Sequence, residues 1–235
     1  MTGVRDDGQS MDVAAVEDLR VRYTRLYGGA IYDVLDEMGY PNQVLATDLV
    51  PIEPGSVVVG PAFTIQGVSD PMGDEELSQR RIRLFSEMRY PCVDVRDCGF
   101  DVRVAHYGEM NATLGVKHGA VGAIVDGGVR DVRLLREMGF PVFARYRSPV
   151  EAKKRWSYYR WQVPITLRGA MSATVTVHPG DFMFADQDGV LAIPKALTVA
   201  VLEAAERLAG LENSARTEFA ENPDTEAVYQ KYGRL

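Results

Sequence analysis

The sequence predicts a single α/β domain with mixed sheets and a C-terminal helical extension. Three observations support this class. β-branched apolar runs alternate with segments of helical periodicity between about residues 90 and 145. Short runs typical of strands, separated by turn residues, follow from about residue 160. A helical stripe then runs from Leu197 onward. Because no linker rich in serine and glycine divides the chain, we expect a flexible tail at residues 1–12 and one domain at residues 13–235.

The N-terminal part predicts two helices and then strands. Apolar residues at spacings of three and four predict a helix from Val13, and Gly28-Gly29 separates it from a second helix around residues 30–38. Pro54-Gly55 precedes the next elements. After this turn the sequence predicts strands at 56–60 and 62–65, a charged helix at 74–89 and a short strand at 92–95.

The middle of the chain is the most regular part. It predicts a helix at 111–117, a buried strand at 121–125, a turn at 126–128, a helix at 131–138 and a strand at 139–143. This alternation is typical of βαβ units with parallel strands. The basic and aromatic segment at 153–161 is interpreted as a solvated loop or subunit contact. Four short strands are then predicted, at 163–167, 173–177, 181–185 and 190–193.

Composition excludes several classes of protein. The 235 residues include 33 acidic and 26 basic side chains, a net charge of −7, which disfavours a nucleic-acid partner held by phosphate contacts. Two cysteines, Cys92 and Cys98, are too few for a disulfide framework and indicate a reducing compartment. Neither a membrane span nor a signal peptide is visible, so we expect a cytoplasmic protein without a membrane partner.

The segment 126–131 carries the densest candidate chemistry. Its two glycines permit close approach of a ligand, and Arg130 beside Asp131 combines an anion-binding cation with a carboxylate that suits a metal ion. A tight turn with a surface ion pair explains the same residues equally well. Gly108-Glu109 opens the preceding helix, whose N-terminal amides suit a substrate carboxylate. An ordinary helix start with a favourable acidic residue is the simpler alternative there.

Several segments together resemble one known family. They are residues 108–113, 119–131, 179–186, 188–190, 193–194 and 59–64. Along the chain these segments occur in the same order as in the 4-hydroxy-4-methyl-2-oxoglutarate aldolases and their relatives, the RraA-like regulators of ribonuclease activity, which they resemble. They also share the spacing of that family, in which an acidic residue is followed by twenty residues and then by Arg-Asp. The resemblance covers roughly residues 25–220 and rests on the combination of segments.

The resemblance implies a fold and a chemistry. The fold is a swivelling β/β/α domain, assembled as a homotrimer or hexamer with sites between subunits. The activity is a lyase reaction, in which a divalent cation, Mg²⁺ or Mn²⁺, assists retro-aldol cleavage of a 4-hydroxy-2-oxo acid to pyruvate. Decarboxylation of oxaloacetate is the expected side activity, because it passes through the same enolate.

The resemblance also assigns roles to residues. Asp131 matches the metal ligand, Glu109 the acidic residue that holds metal-bound water, and Arg130 the arginine on the pyruvyl oxygen. Glu212 matches, in a loose alignment, an acidic residue that reaches the neighbouring subunit's site. The carboxylate-binding loop matches the backbone of Gly108, Glu109, Met110 and Asn111.

One position departs from the aldolase pattern. The aldolases carry Asp or Glu three residues after the Asp of the Arg-Asp pair, whereas this chain has Leu134. An apolar side chain cannot hydrogen-bond metal-bound water, and losing such support typically weakens metal affinity by roughly 10- to 100-fold. A non-catalytic regulator that binds a ribonuclease or another protein is therefore the alternative to the lyase.

Overall fold

The computed structural model describes residues 12–70 and 73–233. Most of the predicted tail, residues 1–11, lies outside the described residues, and Asp12 caps the first helix by accepting a hydrogen bond from the Ala14 amide at 3.4 Å. Within the described ranges the helices are α1 (Val13–Tyr23), α2 (Gly28–Glu37), α3 (Asp74–Glu87), α4 (Glu109–Lys117), α5 (Val132–Glu137), α6 (Thr198–Glu221) and α7 (Thr225–Tyr232), with a 3-10 turn at Lys195–Leu197.

The strands form one large mixed sheet and one small hairpin. They are β1 (Val50–Pro51), β2 (Val58–Val68), β3 (Cys92–Asp97), β4 (Ala105–Tyr107), β5 (Ala120–Val129), β6 (Val142–Arg147), β7 (Ser157–Trp161), β8 (Ile165–Arg168), β9 (Thr174–Val177), β10 (Phe182–Ala185) and β11 (Val190–Ile193). The large sheet has the order β1-β6-β5-β3-β2-β10-β11, with β4 paired to β5 and β7 paired to β2, while β8 and β9 pair separately.

The centre of the large sheet is parallel, as the alternating pattern predicts. Strand β3 pairs in parallel with β2 and β5, and β5 with β6, while helices α3, α4 and α5 connect successive strands. Strands buried on both faces have continuous apolar runs, which is why β5 contains the buried run Ala123, Ile124 and Val125. The antiparallel strands β10 and β11 extend the sheet beyond β2.

Three apolar clusters hold the layers together. One packs α3, α4 and α5 on the parallel strands, through residues such as Phe85 and Leu135. The second fills the space between the sheet and the β8–β9 hairpin. The third packs α1, α2 and α6 on β10 and β11, and its Tyr23 ring lies 5.0 Å from that of Phe182. The mixed sheet with a C-terminal helix confirms the predicted fold class.

Three local expectations were wrong. Gly28 and Gly29 belong to the first turn of α2 instead of separating the two helices, and the Gly28 amide donates to Asp186 Oδ2 at 2.7 Å. The expected turn at 126–128 continues β5 as a strand. The expected loop at 153–161 contains strand β7, which pairs antiparallel with β2, while Trp156 and Tyr158 pack into the core. None of the described helices is long and apolar enough to span a membrane.

Candidate functional site

Two parallel strands end side by side and bring the predicted site together. Strands β4 and β5 pair in parallel, Tyr107 opposite Val129, and the Arg130 amide donates to the Tyr107 carbonyl at 3.0 Å. Parallel strands present their carboxyl ends at one edge, where ligands bind in open α/β sheets. The residues that follow these ends, Gly108 and Asp131, therefore come into contact.

Gly108 allows this contact because it has no side chain. A Cβ atom built there would lie 2.6 Å from Asp131 Oδ2 and 3.2 Å from Arg130 Cγ. The backbone at Gly108 is extended, with φ −167°, so the constraint is steric and not conformational. A glycine at this position is thus a requirement of the site.

Asp131 adopts an unusual backbone conformation at the start of α5. Its φ of 57° lies in the left-handed region, where non-glycine residues are uncommon and where strain often accompanies function. Its Oδ2 lies 3.3 Å from the Glu109 amide nitrogen and 3.5 Å from Arg130 Nε. The carboxylate is thus held beside the N-terminus of α4, with its side chain 35% exposed.

Arg130 points into a cleft of about 290 Å³ that lies beside these strand ends. Its Nη2 is 3.4 Å from Glu151 Oε1, a long contact between partly exposed groups. An incoming anion can therefore compete for the guanidinium at small cost. Of the residues assigned to the site by resemblance, those that line the cleft are Gly108, Met110, Asn111, Arg130 and Asp131.

The side chain of Glu109 has a different environment. Its Oε1 accepts a hydrogen bond from the Thr113 hydroxyl at 2.7 Å, one turn further along α4. Glu109 meets Asp131 through its backbone amide, and its carboxylate is not among the groups that line the cleft within this protomer. The role of Glu109 on metal-bound water stays a prediction.

A buried ion pair that the sequence reasoning missed supports the floor of the cleft. Arg96 pairs with Asp94 at 2.8 Å, and both side chains are fully buried. Arg96 Nη1 also donates to the His106 carbonyl at 2.9 Å and to the Tyr158 hydroxyl at 3.3 Å, and that hydroxyl donates to Asn111 Oδ1 at 3.2 Å. The signal in the sequence was a pair of opposite charges inside a strand, Asp94 and Arg96, which are two positions apart and therefore on the same face.

The double glycine serves packing. A Cβ atom at Gly127 would lie 2.4 Å from His106 Nδ1, and one at Gly128 would lie 2.5 Å from the Val104 carbonyl. Neighbouring Asp126 is buried, accepts hydrogen bonds from Arg145 at 3.0 Å and from the Arg168 amide at 3.1 Å, and has its pKa raised by burial. The expectation that these glycines admit a ligand was wrong, because protein atoms fill that space.

Glu212 lies in a separate groove between α2, α6 and α7. Its carboxylate accepts a hydrogen bond from the Tyr27 hydroxyl and lies 3.5 Å from Arg216 Nη2. In the protomer it does not approach the cleft that contains Arg130. Its role in a neighbouring subunit's site stays a prediction.

Comparison with known families decides the relationship. The family described as RraA-like, Aldolase/RraA, matches residues 29–192. The chain belongs to this family. Its relatives include a protein of Halalkalibacterium halodurans named "Putative 4-hydroxy-4-methyl-2-oxoglutarate aldolase", which is 32% identical over 177 residues, or 75% of this chain and 77% of that protein.

Two further proteins are similar to this chain. Protein DlpA of Legionella pneumophila is 25% identical over 86% of this chain, and the match spans only 32% of DlpA, about a third of its length. The crystal structure of RraAS2 from Streptomyces coelicolor, described as an unusual member of the RNase ES inhibitor RraA protein family, superposes with a TM-score of 0.71. It is 22% identical and covers 92% of this chain and 99% of that one, which establishes the shared fold.

The donor set of the cleft suits a cation that is only partly enclosed by protein. Within residues 12–70 and 73–233, no group of three or more His, Cys, Asp or Glu side chains converges as a ready metal site. Mg²⁺ in proteins is commonly bound by one or two carboxylates and completes its shell with water and substrate oxygens. Asp131, partly exposed beside the cleft, fits that mode.

Proposed function

We propose that this RraA-like protein is a divalent-metal-dependent lyase that cleaves a 4-hydroxy-2-oxo acid to pyruvate. The observation that carries the proposal is the convergence, in one cleft, of the Arg130 guanidinium, the Asp131 carboxylate and the glycine-started N-terminus of α4. A cation, a carboxylate that can hold a metal and the amides at a helix N-terminus are the groups that a 2-oxo acid requires. The aldolase names of relatives support the same reaction.

Each group has a distinct task in the cleft. The N-terminus of α4, residues 108–111, faces the substrate C1 carboxylate with its partial positive charge. Arg130 donates to the C2 oxygen, and Asp131 would hold Mg²⁺ or Mn²⁺. When bound, the metal acts as a Lewis acid toward the 2-oxo acid.

The bond change follows from this placement. The C4 hydroxyl loses its proton, the C4 oxygen becomes a carbonyl, and the C3–C4 bond breaks. The electron pair of that bond moves toward C2, so negative charge develops on the C2 oxygen, where Arg130 stabilises it. Protonation at C3 completes pyruvate. Loss of CO₂ from oxaloacetate generates the same charge at the same atom, which makes that decarboxylation the natural side reaction.

Pyruvate release tests the proposal directly. It is followed with a coupled dehydrogenase for a panel of 4-hydroxy-2-oxo acids and oxaloacetate, with Mg²⁺, with Mn²⁺ and with EDTA. We expect turnover that EDTA abolishes and that falls by about 10²–10³-fold in Arg130→Met. Arg133→Met is the matched control, because Arg133 pairs with Glu137 on the exposed side of α5. Absence of metal-dependent turnover across the panel overturns the lyase.

The second candidate is a non-catalytic regulator that binds a ribonuclease or another protein. It is favoured by Leu134, whose side chain is exposed on α5 one turn after Asp131, where an acidic residue would support metal-bound water. Leu134→Glu distinguishes the two functions. If the protein is a lyase with weakened support, this variant lowers the metal concentration needed for half-maximal activity. If no activity appears in either form, inhibition of a purified ribonuclease becomes the deciding assay.

A homotrimer or hexamer with shared sites accompanies the proposal. In this assembly Glu212 would contribute its carboxylate to the site of a neighbouring subunit. Light scattering gives the mass of the assembly, and mixing Glu212→Gln subunits with Arg130→Met subunits tests sharing. Recovery of activity in the mixture supports a shared site, and no recovery contradicts it.

A further inference from the structure

One wall of the cleft comes from helix α3, which carries residues without an assigned role. Asp74, Leu77, Ser78 and Arg81 all line the cleft. Their spacing of three and four residues places them on one face of the helix. The polar members of this face thus point into the space that also contains Arg130 and Asp131.

The charges of the cleft are paired with one exception. Lys153 Nζ lies 3.0 Å from Asp74 Oδ2, while Arg130 lies near Asp131 and Glu151. Arg81 forms no such pair with a described residue, and its Nε atom is buried without a hydrogen-bond partner. A buried donor left unsatisfied is costly, and each one in a folded protein calls for an explanation.

We infer that Arg81 is the residue of this cleft that binds the distal carboxylate of a dicarboxylic 2-oxo acid. Arg130 and the N-terminus of α4 are the groups proposed for the 2-oxo acid group, and α3 supplies a further cation to the same cleft of about 290 Å³. A guanidinium is suited to a carboxylate because its planar donors match the two oxygens. The inference rests on the proposed oxo-acid site and names a specificity-determining residue of that site.

Binding measured without turnover tests the inference. Calorimetric titration of the full chain in buffer with magnesium chloride compares 2-oxoglutarate with 2-oxopentanoate, which has the same chain length and a methyl group in place of the second carboxylate. In Arg81→Met we expect affinity for 2-oxoglutarate to fall about 10- to 100-fold, the worth of one charge-assisted interaction, and affinity for 2-oxopentanoate to stay within about twofold.

Arg83→Met is the matched control. It removes the same charge from the same helix, where Arg83 is 75% exposed and pairs with Glu87 at 3.0 Å. We expect it to bind both probes as the wild type does. If Arg81→Met unfolds, as judged by circular dichroism, Arg81→Gln keeps a polar side chain there and is expected to show the same selective loss.

The outcomes separate this inference from the lyase. An equal loss for both probes, or no loss for either, overturns the role of Arg81. Wild-type protein that binds neither probe overturns the oxo-acid site itself. Selective loss in Arg81→Met together with absent pyruvate release retains the dicarboxylate site and removes only the lyase.

Discussion

The Asp131 carboxylate is held by the backbone amide of Glu109, with Oδ2 at 3.3 Å from that nitrogen. The two acidic residues of the sequence motif, Glu109 and Asp131, therefore contact each other through the Asp131 carboxylate and the Glu109 backbone amide. The Glu109 carboxylate contacts Thr113. This relationship makes Asp131 the anionic centre of the protomer's site and gives the two residues different expected sensitivities to substitution.

Asp131→Asn removes the charge that would hold the cation. Asparagine tolerates the left-handed backbone observed at φ 57°, so the fold is expected to remain intact. We expect metal-dependent pyruvate release to fall by at least about 10²-fold, with the thermal midpoint within a few degrees of the wild type. Activity near the wild-type level would show that Asp131 does not hold the metal.

Glu109→Gln tests the carboxylate that the protomer turns toward Thr113. If it orients metal-bound water, turnover falls by roughly 10- to 100-fold, the usual cost of losing such support. Thr113→Val is the control, because it removes only the hydroxyl that donates to Glu109 Oε1 at 2.7 Å and is expected to leave turnover within about twofold. Equal activity of Glu109→Gln and wild type would show that the Glu109 carboxylate has no role in turnover beyond its favourable charge at the start of α4.

Gly108→Ala tests the steric basis of the site. The new methyl group would lie 2.6 Å from Asp131 Oδ2, so we expect the carboxylate to shift and activity to fall by about 10²-fold. Gly210→Ala is the opposite case, because nothing lies within 4 Å of its added Cβ and it sits inside α6. There, alanine is expected to raise the free energy of unfolding by about 0.5–1 kcal/mol and leave activity unchanged. An active Gly108→Ala enzyme would contradict the packing argument.

The sequence was sufficient for the elements with strong periodicity. The alternating helices and strands between residues 92 and 143 predicted the parallel centre of the sheet. The motif 108–131 identified Arg130 and Asp131, and both line the same cleft in the structure. Local patterns report local structure reliably where apolar residues repeat with one period. The family resemblance added the fold, which the pairing of strands bears out.

The sequence was insufficient where a residue's role depends on distant partners. Gly127 and Gly128 look like a ligand-binding turn, yet their space is taken by His106 and by the carbonyl of Val104, which the chain supplies from 20 or more residues away. Arg96 and Arg81 look like ordinary charges in a strand and a helix. Only the packed structure shows that Arg96 pairs with Asp94 beneath the cleft, and that Arg81 lines the cleft without an ion-pair partner among the described residues.

Arg96→Met tests the ion pair beneath the cleft. It leaves Asp94 buried without its partner, which is expected to lower the free energy of unfolding by about 3–5 kcal/mol in urea titrations. The double variant Asp94→Leu, Arg96→Met removes both charges and is expected to recover at least half of that loss. A cost below about 1 kcal/mol for Arg96→Met would show that the pair contributes little.

His106 makes stability depend on pH. Its ring is buried and its Nδ1 accepts a hydrogen bond from the Gly128 amide at 3.1 Å. Burial is the main cause that lowers its pKa from 6.5 to about 4, while Asp101 at 3.7 Å partly opposes the change. Between these two values the unfolded chain binds a proton that the folded chain does not. The neutral His106 ring therefore contributes about 3 kcal/mol to the free energy of unfolding. This contribution is complete above pH 6.5 and is lost progressively as the pH falls toward 4.

Urea titrations at intervals from pH 7.5 to 4.5 measure this dependence. The wild type is expected to lose stability through the acid range, and His106→Asn, which keeps an acceptor near the Gly128 amide without a titrating ring, is expected to lose less. Burial raises the pKa of Asp101, but hydrogen bonds from Arg103, Ser69 and Val104 together lower it from 3.8 to about 2. Asp101 does not obscure the comparison, because both values lie below the pH range of the titrations. Equal slopes for the two proteins would show that His106 accepts its proton equally well in the folded and unfolded chains.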